Sequence, residues 1–511
     1  MPELIANPRP VCIAALVGAA LGFAILAALM LTATGGVAEY PLDDVYIHLA
    51  MSEQLMQGNY GVNRGEFASA GSSPLYAVLL APLSGTGLHA WLPLFWNLAA
   101  LALSAWVFGL ILWRAGLSGP TSMVVAALAP LCLNMVGLAT AGMEHTLHMA
   151  VALCTLWGVV RWRDTGLLPR WIWLCIGIAP LLRPEALALS LTVALVAGLR
   201  QEPLRAVAMA GVATVPLALF ALFLKALGLP ALPSSVTTKL ASGELSTGGP
   251  LAQFTANLER TPGLFLFAMA VLALTALATR QGRWMWPVIL VTALPLFAHL
   301  AAGQIGWYYR YEGYAITLGA AGVILLWVPV LANSIRGAAV SMALVAVVGS
   351  FYVVGILRNA PASSRGIYLQ QAQMARFVKE YLRAPVAIND LGHVAFGNPD
   401  YVLDLVGLAN AEVVRIRQGN PGPGWAGPLT RVHNTDLAMI YDHWLGYAKG
   451  SEWVPLGTLN LSGYQGVLGG SSVSFYATSA PAVDRLNALL LDFAPTLPAG
   501  ATFTFAGQAG T

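Results

Sequence analysis

Read as a pattern of apolar and polar positions, the chain divides once, near residue 357. From residue 11 to about residue 356, apolar runs long enough to span about 30 Å of hydrocarbon recur between short polar connections. Segments at 11–33, 88–113, 120–139, 145–162, 171–183, 185–199, 206–228, 262–280, 284–303, 313–332 and 338–356 predict about eleven crossings. The fifth and sixth are short for a full bilayer and meet at Arg183-Pro184-Glu185. Proline breaks a helix there, so either a tight hairpin or a re-entrant element fits. Beyond Arg358 the pattern becomes that of a soluble mixed α/β region. It predicts a helix over 365–383, strand-like runs at 385–388, 401–408, 437–441 and from Ser472, and a helix over 482–491.

Composition sharpens this reading. Hydrophobic residues make up 57% of the chain and charged residues 10%, against soluble averages of about 45–50% and roughly a quarter. So many apolar helices would need far more polar surface in water than this charge content provides. The net charge of +3 is small and the basic residues are scattered, which gives no nucleic-acid footprint. All four cysteines, Cys12, Cys132, Cys154 and Cys175, fall in predicted spans, so a disulfide framework is not expected. The first apolar run exceeds a signal-peptide core and no small-x-small cleavage site follows it, which predicts an uncleaved anchor.

Charge sets the expected topology. With a cytoplasmic N-terminus, the cytoplasmic connections carry Arg114, then Arg161, Arg163 and Arg170, then Arg200 and Arg205, then Arg280 and Arg283, then Arg336. Each short loop then obeys the positive-inside rule. An odd number of crossings places the tail outside, together with the first outer loop at 37–73. The expected organisation is a multi-pass α-helical membrane domain over 1–357 followed by an extracytoplasmic soluble α/β domain over 358–511.

The unusual polar residues collect at the predicted outer ends of the spans: Asp43, Asp44 and His48, Glu144 and His145, Arg183 and Glu185, Lys239, and Arg310. Each alone fits a solvated loop residue; together they predict a shared polar cleft. Asp43 and Asp44 could be helix-start acids favoured by the dipole, or one could face a substrate while the other is held by the fold. Asp44 stacks with His48 at i+4, which offers a divalent cation two ligands. His145 and His148 share a helical face, a spacing met more often in packing than in ligation. Ser73 and Pro74 open another apolar helix, either as an interfacial element beside the membrane or simply as its cap. Lys239 and Arg310 run against the positive-inside bias, so an anionic partner is expected.

These residues carry a family resemblance. The run Asp43-Asp44-Val45-Tyr46-Ile47, then Gly58, Gly61, Asn63, Gly65-Glu66 and Ser72-Ser73-Pro74-Leu75, resembles the first outer loop of bacterial GT-C fold glycosyltransferases. These are integral membrane enzymes that take sugars from polyprenyl-phosphate carriers. Within them, the chain is most similar to the group of the mycobacterial terminal arabinofuranosyltransferase. Gly142-Met143-Glu144, Arg183-Pro184-Glu185, the loop from Pro233 to Lys239, Arg310-Tyr311 and the tail stretch from Asn389 to Asn410 resemble later family motifs in the same order. The chain departs at Ala50, where the family carries Arg, at Ser234, where it carries Asn, and before Arg310, where its proline is missing.

The resemblance implies a GT-C fold and an inverting transfer of a sugar, arabinofuranose or another pentose or hexose. The acceptor would be an envelope glycan or glycolipid at the outer face of the cytoplasmic membrane. It makes Asp43 or Asp44 the general base, Asp43 being the acid the family tends to use. It makes Lys239, Arg310 and Arg183 the groups that neutralise the departing phosphate, with Glu144 and Glu185 orienting them or the sugar. Tyr46, His48 and Ser73 would line the substrate site, and the segment from Pro74 to Pro82 would help to hold the isoprenoid. Trp425, Trp444 and Trp453 are either stacking residues for an acceptor glycan or core residues of the tail. A polyprenyl-lipid transporter or flippase would use a similar cleft, although no internal repeat supports one; a non-catalytic envelope scaffold would tolerate loss of the aspartates.

Overall fold

In a computed structural model of the chain, residues 7–234, 248–331 and 334–507 are described. The chain forms two compact units. The first comprises residues 1–28, 93–220 and 245–358, and the second 29–92, 221–244 and 359–511. The first outer loop thus packs in the same unit as the tail.

Each predicted span carries a helix. Among the described residues, six helices are long and apolar enough to cross a membrane: Arg9–Ala33, His89–Arg114, Pro203–Ala226, Thr261–Ala278, Gly313–Leu331 and the run Ile335–Leu382. Pro120–Cys132, Trp171–Leu182, Pro184–Leu199 and Trp286–Ala302 are shorter apolar helices. At 1.5 Å per residue the 12 residues of Trp171–Leu182 reach only about 18 Å. The break that shortens it is the expected one: Arg183 is extended, at φ −148° and ψ 128°, as a residue before proline must be. Large apolar side chains face outward along these helices, Ile13, Val17, Leu21 and Ile25 on one and Leu204, Val207, Val215 and Leu219 on another. A helix surrounded by lipid has no polar face to show. All four cysteines are free.

The tail folds around one six-stranded sheet. Its strands are β1 (Val386–Ile388), β2 (Val402–Asp404), β3 (Leu437–Ile440), β4 (Val454–Leu461), β5 (Ser472–Ala477) and β6 (Ala501–Phe505), in the order β2-β1-β3-β5-β4-β6. β1 pairs in parallel with β2 and β3; β3–β5, β5–β4 and β4–β6 are antiparallel. The first three strands are buried throughout, as strands covered on both faces must be. On one face Leu403, Val413, Leu429, Ile440, Trp425 and Trp453 pack together. Elsewhere Phe377 meets Phe475 and Phe493, the last on the amphipathic helix Val483–Phe493, which buries Leu486, Leu490 and Phe493. Trp425 and Trp453 are therefore core residues, and only Trp444 of the three tail tryptophans is exposed.

Two side chains fasten the first outer loop to this sheet. Asn63 pairs with the backbone of Val402 at the edge of β2, its Nδ2 donating to the carbonyl at 3.0 Å and its Oδ1 accepting from the amide at 2.9 Å. It supplies what another strand would have supplied. Glu66 accepts from the Tyr401 hydroxyl and from Asn410 Nδ2. The turn between β1 and β2, a short helix over Gly392–Ala395, is held from both ends. Asp43 accepts from the amides of Gly392 and His393, and Lys379 donates to the carbonyls of His393 and Phe396. Gly392 has to be glycine at this contact, because a Cβ would lie 2.7 Å from an Asp43 carboxylate oxygen and 2.1 Å from its backbone oxygen.

Asn63→Ala leaves two backbone groups at the sheet edge without their partner and should cost about 1–3 kcal/mol, read as a lowered melting temperature in detergent. Arg431→Ala, which removes an exposed ion pair with Glu452, should stay within about 1 kcal/mol of wild type. Gly392→Ala should lower the melting temperature and any activity together, since Asp43 must move aside; an unchanged protein would contradict the close approach.

Candidate active site

The residues that can carry chemistry fall into two groups, one in each unit. In the second unit the helix Asp44–Met56 starts at the acid pair. Asp43 takes its N-cap position but makes no side-chain bond to that helix. Its carboxylate instead reaches the amides of Gly392 at 2.7 Å and His393 at 2.8 Å. A helix-start role does not account for this side chain. Burial pushes the Asp43 carboxyl well above its usual range, and the negative charge of Asp390 pushes further the same way, against the two amide bonds and with a smaller contribution from Asp44. Asp390, the last residue but one before the short helix, is likewise raised by burial. It accepts from Gln371 Nε2 at 2.9 Å, and Gln371 Nε2 also lies 3.2 Å from the Tyr441 hydroxyl, which donates to Gln370 Oε1. The charges of Asp390 and Asp44 thus both act on Asp43, and that of Asp44 also on Asp390.

The neighbours of the trio are ordered. The Tyr46 hydroxyl donates to Glu39, whose other oxygen accepts from His393 Nε2 at 3.4 Å, and the His393 ring lies 4.2 Å from the Tyr46 ring. Glu53 accepts from the amide of Gly397. His48 is buried, its ring edge-on to Tyr76 at 5.3 Å and against Gly71. No group of three or more His, Cys, Asp or Glu residues with a metal-holding arrangement occurs among the described residues, so a cation at Asp44 and His48 gains no third such ligand from them. Ser73 Oγ accepts from the amide of Tyr76, the first residue of the Tyr76–Leu80 helix.

In the first unit, Arg183 donates to Glu144 at 3.1 Å and to Glu185 at 2.6 Å. Its guanidinium lies 5.6 Å from the centre of the Tyr311 ring, and that of Arg310 lies 5.0 Å from the same ring. One aromatic face system thereby spaces two cations, one of them matched by two carboxylates. Arg310 is buried and follows three consecutive non-glycine residues with left-handed backbones, Trp307, Tyr308 and Tyr309 at φ 43°, 66° and 56°. Such a turn costs roughly 1–2 kcal/mol per residue. Its surroundings hold it: Asn134 donates to the Tyr309 carbonyl, Thr140 bonds the Tyr308 hydroxyl, and Glu312 accepts from the Gly306 amide. His145 and His148 are packed against Tyr311 and Tyr314, His148 in a stack at 4.0 Å.

Lys239 lies outside the described residues. Of the other residues expected at the site, Asp43, Asp44, Tyr46, His48 and Ser73 belong to the second unit, and Glu144, Arg183, Glu185 and Arg310 to the first. The sequence reading missed Asp390, Gln371, Tyr441, His393 and Glu39. Asp390-Leu391-Gly392 stood inside the tail motif that carried the resemblance, but nothing local in that motif shows that its acid lies beside Asp43.

A family described as a domain of unknown function, DUF8728, matches residues 364–476. No curated protein matches the chain. Among solved structures, the chain is similar to the arabinofuranosyltransferase AftD from mycobacteria, at 14% identity and a TM-score of 0.46. That similarity covers 90% of this chain and 41% of the other, so this chain spans well under half the length of that protein.

Proposed function

We propose that the protein is an inverting glycosyltransferase that moves a sugar from a polyprenyl-phosphate carrier to an envelope glycan or glycolipid, acting at the outer face of the cytoplasmic membrane through about eleven crossings. The observation that carries this reading is the Asp43 carboxylate, fixed by two backbone amides and raised in pKa by burial and by Asp390. The order of the motifs along the chain supports it.

The chemistry asks for a base of this kind. The acceptor hydroxyl oxygen attacks the anomeric carbon, the bond from that carbon to the phosphate oxygen breaks, and the hydroxyl proton passes to Asp43. The polyprenyl phosphate leaves with the electron pair. A carboxylate with a raised pKa accepts the proton more readily than an ordinary one. Asp44 and Asp390 act on Asp43 electrostatically. Gln371 holds Asp390 and is itself bonded to the Tyr441 hydroxyl, and the Glu39, His393 and Tyr46 group fixes the amide that Asp43 grips. Neutralising the phosphate needs cations, the part that the resemblance gives to Lys239, Arg310 and Arg183; Arg183 already has two carboxylate partners.

The test is transfer from radiolabelled polyprenyl-phosphate sugars to an envelope extract. Asp43→Asn at wild-type thermal stability should bind donor and lose about 10²-fold or more in turnover. Wild-type turnover by both Asp43→Asn and Asp44→Asn would end the reading, and consumption of no donor by any form would favour a polyprenyl-lipid carrier. The acid limb of kcat/KM gives a second check. The groups around Asp43 are Asp44 on its own helix, Asp390 and His393 at the short helix, Lys379 before β1, Tyr441 after β3, and Glu39. Because the charge of Asp390 raises the Asp43 pKa, Asp390→Asn should move the acid limb to lower pH and modestly lower the plateau above it; a shift to higher pH would contradict the coupling.

A further inference from the structure

Lys379 is a charged side chain that the proposed chemistry does not use. It stands in a π-helical turn over Phe377–Leu382 that continues the helix Gln371–Arg376; such turns are rare and are often met at functional sites. Its Nζ donates to the carbonyl of His393 at 2.9 Å and to that of Phe396. Lysine often donates to the last carbonyls of a helix, so these two bonds alone would be an ordinary cap. Two features set this lysine apart from a cap.

The first is the charge around it. A half-buried ammonium bonded to neutral carbonyls has given up water for uncharged partners, and here the charges of Glu53, Asp43 and Glu39 all favour it. Those acids come from the first outer loop, and the lysine comes from the tail. The second feature is where its bonds lead. β1 lies between β2 and β3 and parallel to both, so the chain passes from β1 to one neighbour and then across to the other. In open α/β sheets the crevice beyond the carboxyl ends of the strands at such a reversal is where ligands are held. Asp390, Gly392 and His393 follow β1 at this place and Tyr441 follows β3, and Asn389 Oδ1 ties the two ends by accepting from the Tyr441 amide at 2.8 Å.

One helical run therefore grips the connection from β1 to β2 at two points, Gln371 on Asp390 at 2.9 Å and Lys379 on His393 and Phe396. Between them lie the amides of Gly392 and His393 that hold the Asp43 carboxylate at 2.7 and 2.8 Å. Those bonds orient the carboxylate only as well as the two amides are themselves fixed. The helix Gly392–Ala395 has four residues and does not hold itself, because a first turn orders several residues for one hydrogen bond. Lys379 fixes it from the carbonyl side.

We propose that Lys379 is the positioning residue of Asp43, holding the amides of Gly392 and His393 where they orient its carboxylate. The consequence for turnover rests on the glycosyltransferase reading; the hold on the amides does not. Two measurements on the full-length protein in detergent test it, using Lys379→Met, which keeps the stem and removes the charge, and Lys379→Arg, which keeps the charge and the donors. Hydrogen–deuterium exchange over residues 391–397 should run about tenfold or more faster in Lys379→Met, with β4 and β5 protected as in wild type. In transfer from the polyprenyl-phosphate sugar, kcat should fall about tenfold or more while the donor KM stays within about twofold. Lys379→Arg should recover most of the protection and part of kcat. Wild-type exchange in Lys379→Met overturns the proposal, as does unchanged kcat beside faster exchange. Protection lost across the whole tail, with kcat and KM both impaired, overturns it too and leaves Lys379 a stabilising residue. Where Lys379→Met does not fold, Lys379→Gln, which keeps a donor without the charge, is read in the same way. If wild type consumes no donor, the glycosyltransferase reading fails and the exchange measurement decides alone: faster exchange confined to 391–397 supports the hold on the amides, and unchanged exchange overturns it.

Discussion

The second unit depends on one contact, the Asp43 carboxylate against the amides of Gly392 and His393. It joins residues separated by 349 and 350 positions in sequence. An ionised group in this place is costly to bury, and two charge-assisted amide bonds offset part of that cost. What remains shows in the raised pKa. The same bonds hold the carboxylate in one orientation. Its neighbour Asp390 adds a like charge that raises the Asp43 pKa further.

The first outer loop looks in sequence like an appendage of the membrane domain, yet it packs as part of the tail's unit. Asn63, Glu66, Asp43 and Glu53 each spend a polar side chain on tail backbone or tail polar groups. Loops rich in glycine pay a large entropy on ordering, so such a loop persists only when several fixed partners receive it. These four receive it along the edge of β2 and around the short helix between β1 and β2. The motif residues of the loop thus divide by what they touch: Asn63, Glu66 and Asp43 reach the tail, and Ser73 bonds the first amide of the Tyr76–Leu80 helix.

In the first unit a different constraint acts. With lipid outside the apolar helices, polar side chains gain from turning inward and matching one another. Arg183 with Glu144 and Glu185 is such a match, and Tyr311 separates it from Arg310. The left-handed turn at 307–309 is tolerated because Asn134, Thr140 and Glu312 fix its backbone and rings. Strain held by so many partners marks Arg310 as a placed residue, not an incidental loop cation.

The apolar pattern by itself determined where the helices lie, because a bilayer admits only long apolar runs with every backbone group satisfied internally. The buried strands β1, β2, β3 and β5 were legible for a related reason: their apolar runs are bounded by turn residues. β4 was not, since Pro455 and Gly457 interrupt it at a bulge, and β6 is a short alternating edge. At the site, the sequence singled out the acid pair through its unusual position after an apolar run and through a motif resemblance. Only tertiary structure decided the rest. It put Trp425 and Trp453 in the core and Trp444 at the surface, and brought Asp390 and Tyr441 to Asp43 from the far end of the chain. The physical reason is range: burial periodicity and capping are written over a few residues, whereas the charge that raises the Asp43 pKa comes from a residue hundreds of positions away.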